Sequence, residues 1–205
     1  MSAVTLDVGG SVALDARVSI PAGARAGVVL CHPHPLYGGD MDSNVVLRMA
    51  EACAARHLAT LRFNFRGVGA STGKHDDGRG EQDDVRAALA DLRRRLPGGA
   101  AVGLAGYSFG AAVAAAVAGG TSIASLALVA PPGRILPALP VVVNGPFLIV
   151  IGAEDPYCPP AAVEAIRRIA PRVTISVIDG ADHFFVGALD ALGAAVEDWA
   201  AALAP

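Results

Sequence analysis

Three short segments, in chain order, hold residues whose types can do nucleophilic chemistry together. Ser108 sits in Gly106-Tyr107-Ser108-Phe109-Gly110, between the apolar run Ala101-Val102-Gly103-Leu104 and the alanine-rich stretch Ala111 to Ala118. That reads as a strand, a tight turn and a helix, the context in which G-x-S-x-G presents a serine hydroxyl at the top of a sheet. Asp155 follows the apolar run Phe147-Leu148-Ile149-Val150-Ile151, and His183 lies in Gly180-Ala181-Asp182-His183-Phe184, just after Val173 to Ile178. A serine hydroxyl is a weak nucleophile until a neighbouring base takes its proton, and a carboxylate holds an imidazole in the tautomer that can do so. All three groups are expected at C-terminal ends of strands, where an open α/β sheet collects its sites.

Competing assignments fail on context. Gly69-Ala70-Ser71-Thr72-Gly73 is a second G-x-S-x-G match, but the polar Lys74-His75-Asp76-Asp77-Gly78 follows it and cannot start a packed helix. A nucleophile turn needs that helix, whose first N–H groups help hold an anion; Ser71 is read as a loop serine. The acid is selected by elimination. No Asp or Glu occurs from Phe109 to Ala153, leaving Glu154, Asp155, Glu164, Asp179 and Asp182 before His183. Asp182 adjoins His183 and is badly placed to reach its Nδ1, and Glu164 falls in a helical stretch. In Gly152-Ala153-Glu154-Asp155-Pro156, Asp155 is the choice and Glu154 the fallback.

Of the five histidines, His57 at a helix end and His75 in a polar loop read as surface residues. His32 and His34, in Cys31-His32-Pro33-His34-Pro35, invite a metal reading, but a catalytic zinc needs three protein ligands and no partner pattern follows. No metal and no cofactor are expected. The stretch Arg66-Gly67-Val68-Gly69-Ala70-Ser71-Thr72-Gly73-Lys74 misses a phosphate loop at Val68 and His75, and a dinucleotide fingerprint at Thr72.

The elements that must position these residues follow from periodicity. Val4 to Leu6 and Val12 to Ile20 alternate as an antiparallel pair, and Ala26 to Cys31 is apolar throughout, as in a strand covered on both faces. Ser43 is expected to cap a helix running to His57. Leu58 to Phe65 is a strand, Glu81 to Leu96 an amphipathic helix, and further strands cover Ile123 to Ala130, the Phe147 run and Val173 to Ile178. Helices are expected after Ser108, after Pro159-Pro160 and near the end of the chain, to about Leu203. Repeated strand–helix units imply a mostly parallel sheet with helices on both faces. With 205 residues, 53% of them hydrophobic and 17% charged, one domain over residues 1–205 is expected. A net charge of −3 gives no basic footprint for nucleic acid, and Gly, Pro or charge interrupts every apolar run before it could span a membrane. Three widely spaced cysteines without C-x-x-C, and no basic-then-apolar leader at Met1 to Asp7, lead to the expectation of a cytoplasmic protein with reduced thiols.

Taken in order, His32-Pro33-His34-Pro35 with Gly38-Gly39, Asn64-Phe65-Arg66-Gly67-Val68-Gly69-Ala70-Ser71, the Ser108 turn, Gly152-Ala153-Glu154-Asp155 and Gly180-Ala181-Asp182-His183-Phe184-Phe185 resemble the α/β-hydrolase superfamily. The likeness is to its small lidless bacterial members, the esterase and dienelactone-hydrolase-like group. It implies an eight-stranded sheet and a Ser108–His183–Asp155 triad working without a cofactor. The dienelactone enzymes use a cysteine nucleophile, so that activity does not carry over to Ser108. In such folds the loop after the first core strand and the residue after the nucleophile supply oxyanion N–H groups. Here these are His34 (with Leu36 second, since Pro33 and Pro35 have no N–H) and Phe109. Tyr37, Tyr107, Phe109, Tyr157, Phe184 and the segment from Pro131 to Pro146 are candidate pocket walls, with Leu36 beside them; Tyr107 and Phe109 read equally well as core packing around the serine turn, since aromatics dominate both settings. Larger members insert a lid between the strand ending at Ala130 and that opening at Phe147, where this chain has only the short Pro/Gly-rich segment. The expected partner is a small ester or thioester, with assembly as a homodimer left open. The same triad also serves thioesterases, acyltransferases and peptidases, and the fold also serves non-catalytic binding proteins. Hydrolysis that needs no metal should survive dialysis against EDTA; activity lost to the chelator and restored by zinc would contradict this reading.

Overall fold

A computed structural model of the chain describes residues 1–134, 143, 145–158, 162 and 173–203. The alternating pattern becomes strands β1 (Ser2–Gly9), β2 (Val12–Ser19), β3 (Ala26–Cys31), β4 (Ala59–Phe63), β5 (Ala101–Tyr107), β6 (Leu126–Val129), β7 (Phe147–Gly152) and β8 (Val173–Ile178). Between and after them lie helices α1 (Asn44–Ala55), α2 (Gly80–Arg95), α3 (Phe109–Ala118) and α4 (Leu189–Ala201). The strands form one eight-stranded sheet in the order β1-β2-β4-β3-β5-β6-β7-β8. β1 and β2 are antiparallel, β2 meets β4 antiparallel, and every other pair is parallel. This is the α/β architecture expected from the sequence. The helix expected after Pro159-Pro160 lies outside the described residues.

Two-residue periodicity sorts the core. Along β3, Ala26, Val28 and Leu30 face the layer of α1 and α4, while Val29 and Cys31 face that of α2 and α3. Leu148 and Val150 of β7 point to the first layer, and Phe147, Ile149 and Ile151 to the second. A strand buried on both faces favours apolar residues at every position, which is why β3, β6 and β7 read as unbroken runs, whereas β4 carries a buried Thr60 and an Arg62 that pairs with Asp42 (3.2 Å). Phe63 and Phe65 are fully buried, and burying a side chain of this size is worth about 1.5–3 kcal/mol.

One detail differs from expectation. Ser43 stands at the N-cap of α1, but its hydroxyl makes no capping bond and is buried without a partner among the described residues. Met41 N–H instead donates to the Asn64 side chain (2.9 Å), which fixes the entry to α1 from across the loop.

The order of strands reverses beside β3: the chain goes from β3 to β4 on one side, then crosses back to β5 on the other. Such a reversal leaves a crevice at the C-terminal strand ends, because the flanking connections leave in opposite directions. His32 lines that crevice. It is fully buried, with Nδ1 2.6 Å from Pro33 O and Nε2 2.9 Å from Phe65 N. A carbonyl only accepts, so Nδ1 carries the proton and Nε2 accepts from Phe65 N–H. A neutral imidazole thus latches the end of β3 to the chain leaving β4. Burial drives the His32 pKa from its usual 6.5 down to about 4, against a smaller upward pull from its bond to Pro33 O. The unfolded chain takes up this proton near pH 6.5 and the folded one only near pH 4, so acid favours unfolding. The stabilisation is whole above pH about 6.5, fades as the pH falls toward about 4, and is worth about 3 kcal/mol in total. Urea denaturation should therefore show wild-type stability falling between pH 7 and pH 5, and His32→Gln should flatten that fall. An unchanged pH slope in the variant would count against the latch.

Candidate active site

Ser108 joins β5 to α3 with φ 54° and ψ −115°, a backbone conformation that costs a non-glycine residue of order 1–3 kcal/mol. The surrounding framework holds it there. Ser108 N–H donates to Val129 O on β6 (2.9 Å), and Ser108 O accepts from Ala111 and Ala112 N–H (3.0 and 3.1 Å). The two glycines of the turn are required by space: a β-carbon at Gly106 would strike Gly110 O, and one at Gly110 would strike Cys31 O and His32 O. The first turn of α3 is therefore pressed against the ends of both β3 and β5. Ser108 remains partly exposed, and its hydroxyl points at the His183 ring.

His183 Nε2 lies 3.0 Å from Ser108 Oγ, and His183 Nδ1 lies 2.8 Å from Asp155 Oδ2. Because a carboxylate only accepts, Nδ1 holds the proton and Nε2 is left free to accept from the serine O–H. Asp155 is 2% exposed, and its second oxygen accepts from Tyr157 and Cys158 N–H (2.8 and 3.3 Å). The loops bearing acid and base are bonded to each other: Glu154 N–H donates to Ala181 O (3.0 Å) and Ala153 N–H to Ile178 O (2.9 Å). Gly152 permits this approach, since a β-carbon there would meet Ala181 O. Glu154 itself is exposed, and it is Asp155 that reaches His183. Asp182 spends its carboxylate on Phe184 and Val186 N–H within its own turn.

On the other side of Ser108, His34 and Phe109 meet, with ring centroids 4.8 Å apart. Their backbone N–H groups make no hydrogen bond among the described residues. Leu36 N–H is already engaged, donating to His34 Nδ1 (3.2 Å). That bond needs a neutral His34, and burial, followed by the charge of His75, holds the His34 pKa below its usual value. Leu36, Tyr37, Tyr157 and Phe184 are all exposed at this end of the sheet, Tyr37 to 86%. Tyr157 and Phe184 both meet the His183 ring edge-on, with centroids at 4.8 and 5.5 Å.

One residue sits elsewhere than expected, and Tyr107 takes the second of its two readings. Tyr107 packs in the core, 4% exposed, and its hydroxyl donates to His183 O (3.0 Å). It holds the histidine loop from beneath and offers no face to a ligand. His75, read as a surface residue, has a side chain only 11% exposed and packs on both His34 and Phe109. A sequence signal for its setting exists: Glu81 and Asp84 fall on the same helical stripe as Val85, Ala88, Leu89 and Leu92, so the first two turns of α2 carry two of its three buried acids, Asp91 being the third. The loop serine Ser71 is buried, donating to Asn64 O (2.8 Å) and accepting from Asp15 N–H (2.9 Å). No thiol competes with Ser108: burial pushes Cys53 and Cys158 up to about 12 and Cys31 higher still. Both nitrogens of His32 are taken by backbone groups, which leaves that ring no lone pair for a metal.

Residues 28–143 match the family model described as the alpha/beta hydrolase fold. The structure of an α/β serine hydrolase homologue from Coxiella burnetii is 36% identical, covering 96% of each chain with a TM-score of 0.87. A lidless α/β serine hydrolase from Xanthomonas campestris is 33% identical, covering 97% of this chain and 92% of its own, with a TM-score of 0.85. An uncharacterized protein of Rickettsia prowazekii is 29% identical over 188 residues, covering 83% of this chain and 76% of that protein. By sequence over more than half its length and by structure over nearly all of it, this chain belongs to the α/β-hydrolase fold family and is a hydrolase.

Proposed function

We propose that the chain is a serine esterase that cleaves small carboxylic esters through an acyl-enzyme. The observation that carries this reading is the unbroken hydrogen-bonded line from Ser108 Oγ through the His183 ring to the buried Asp155 carboxylate. In this reading Ser108 Oγ attacks the ester carbonyl carbon while its proton passes to His183 Nε2. Asp155 keeps Nδ1 protonated and stabilises the imidazolium that forms. Negative charge collects on the former carbonyl oxygen, facing the His34 and Phe109 N–H groups. The intermediate collapses as His183 returns the proton to the leaving alkoxide, and the alcohol departs. Water then repeats the sequence on the acyl-enzyme, with His183 as base, releasing the acid and the free serine.

Short acyl chains suit this mouth best. Each CH₂ of a longer chain gains about 0.8 kcal/mol only if it is fully buried, and among the described residues Leu36, Tyr37, Tyr157 and Phe184 at this end of the sheet are themselves largely exposed. The tests are kinetic. Wild-type protein should hydrolyse p-nitrophenyl acetate and butyrate faster than the dodecanoate, and Ser108→Ala should lower kcat by about 10⁴-fold or more. Ser71→Ala should leave the rate per folded molecule unchanged while lowering stability by about 1–3 kcal/mol, since Asp15 N–H and Asn64 O lose their partner. Ser108→Ala protein that retained activity, or Ser71→Ala protein that lost it while folded, would sink the assignment.

A further inference from the structure

His75 lies outside the line from Ser108 to Asp155, yet it completes a closed group of rings at the site. His34 and Phe109 are 4.8 Å apart, His34 and His75 5.1 Å, and His75 and Phe109 5.4 Å. The first two are the residues whose N–H groups face the developing oxyanion in the reading above, on which this inference rests. They reach the site by different routes, His34 on the loop after β3 and Phe109 at the start of α3. The third ring comes from the chain between β4 and α2, so it can fix the spacing of the other two.

That connection is pinned at both ends by buried carboxylates of α2. Asp84 accepts from Arg66 N–H (3.0 Å) and pairs with its guanidinium (2.7 Å). Glu81, fully buried, accepts from Asp76 and Gly78 N–H (2.9 Å each), and its Oε1 lies 2.8 Å from His75 Nδ1, off the line of a hydrogen bond. Gly78 sits directly over the Phe109 ring, which a β-carbon there would reach at 3.7 Å. His75 therefore has little freedom to leave the cluster. A buried carboxylate carries a large desolvation cost, and here Glu81 fastens the turn of chain that follows His75, beside its imidazole.

We propose that His75, carried on the turn that Glu81 fastens, is a positioning residue for the oxyanion donors, setting the separation of the His34 and Phe109 N–H groups through ring packing. Displacing donors by a fraction of an ångström weakens contacts to the oxyanion, which exists only in the transition state and intermediate. Ground-state ester binding is little affected.

The test compares His75→Ala and His75→Phe with wild type, with rates expressed per active site titrated by a fluorophosphonate, so that unfolded protein is not counted. Titration of the wild type itself checks the Ser108 reading separately: if no site reacts, that reading has failed before His75 is tested. The expectation is a kcat about 10- to 100-fold lower in His75→Ala, less than outright loss of one donor and comparable to a misplacement below 1 Å. KM should stay close to wild type, and the Phe ring should restore most of the rate. A trifluoromethyl ketone, which Ser108 converts to a tetrahedral adduct with a full oxyanion, should lose affinity in His75→Ala in step with kcat/KM. Unchanged kcat in His75→Ala, a loss confined to KM, undiminished ketone affinity, or a Phe variant as slow as Ala would each overturn the proposal.

Discussion

The site depends on a close approach of backbones. The first turn of α3 lies against the ends of β3 and β5 with no space for a β-carbon at position 106 or 110. That contact forces the chain through φ 54° at Ser108, turns the hydroxyl out of the sheet, and brings the His34 loop beside Phe109. Backbone strain of this kind persists only where the surroundings over-determine it. Here they include the bond from Ser108 N–H to β6 and the two bonds from the start of α3 to Ser108 O. A third tight contact, Gly152 against Ala181 O, does the same for the loops of Asp155 and His183. Three glycines thus settle the distances between groups that come from four strands.

Around this frame, polar groups are buried in pairs, each fastening one loop to the scaffold. His32 latches the loop after β3 to the end of β4, Asp84 and Glu81 fasten the β4–α2 connection, and Tyr107 supports the histidine loop. Such groups are costly to bury: desolvation raises the Asp84 carboxyl even though Arg66 bonds to it. A buried ion pair contributes less to net stability than to the uniqueness of one arrangement, and uniqueness is what a site built on five separate loops requires. Hydrophobic packing on both faces of the sheet supplies the stability, and the polar latches fix the loop ends.

The framework of this protein was largely legible in its sequence, and the periphery of its site was not. The unbroken apolar run of β3 could only be a doubly covered strand. Glycines at 106 and 110 beside an alanine-rich stretch marked the turn at Ser108. The absence of acids from Phe109 to Ala153, with Glu164 in a helical stretch and Asp182 adjoining His183, pointed to the segment whose Asp155 does reach His183. Those signals are local, and local spacing carries them. The setting of His75, and the choice between wall and core for Tyr107, are not legible locally because residues far away in sequence make those environments. A histidine among Lys74, Asp76 and Asp77 looks solvated until His34 and Phe109 close over it. The cap expected of Ser43 failed for a related reason, since Asn64 from another loop fixes that entry instead.

The proposed chemistry requires that Ser108 become covalently acylated, and trapping that species is the most direct test. A slowly deacylating p-nitrophenyl ester, mixed with the protein and quenched in acid within the first turnover, should add one acyl group to the intact mass. Peptide mapping should then place it on the segment containing Gly106-Tyr107-Ser108-Phe109-Gly110. Acyl found on Ser71 or on a cysteine, or sustained turnover with no covalent species at any quench time, would contradict the account.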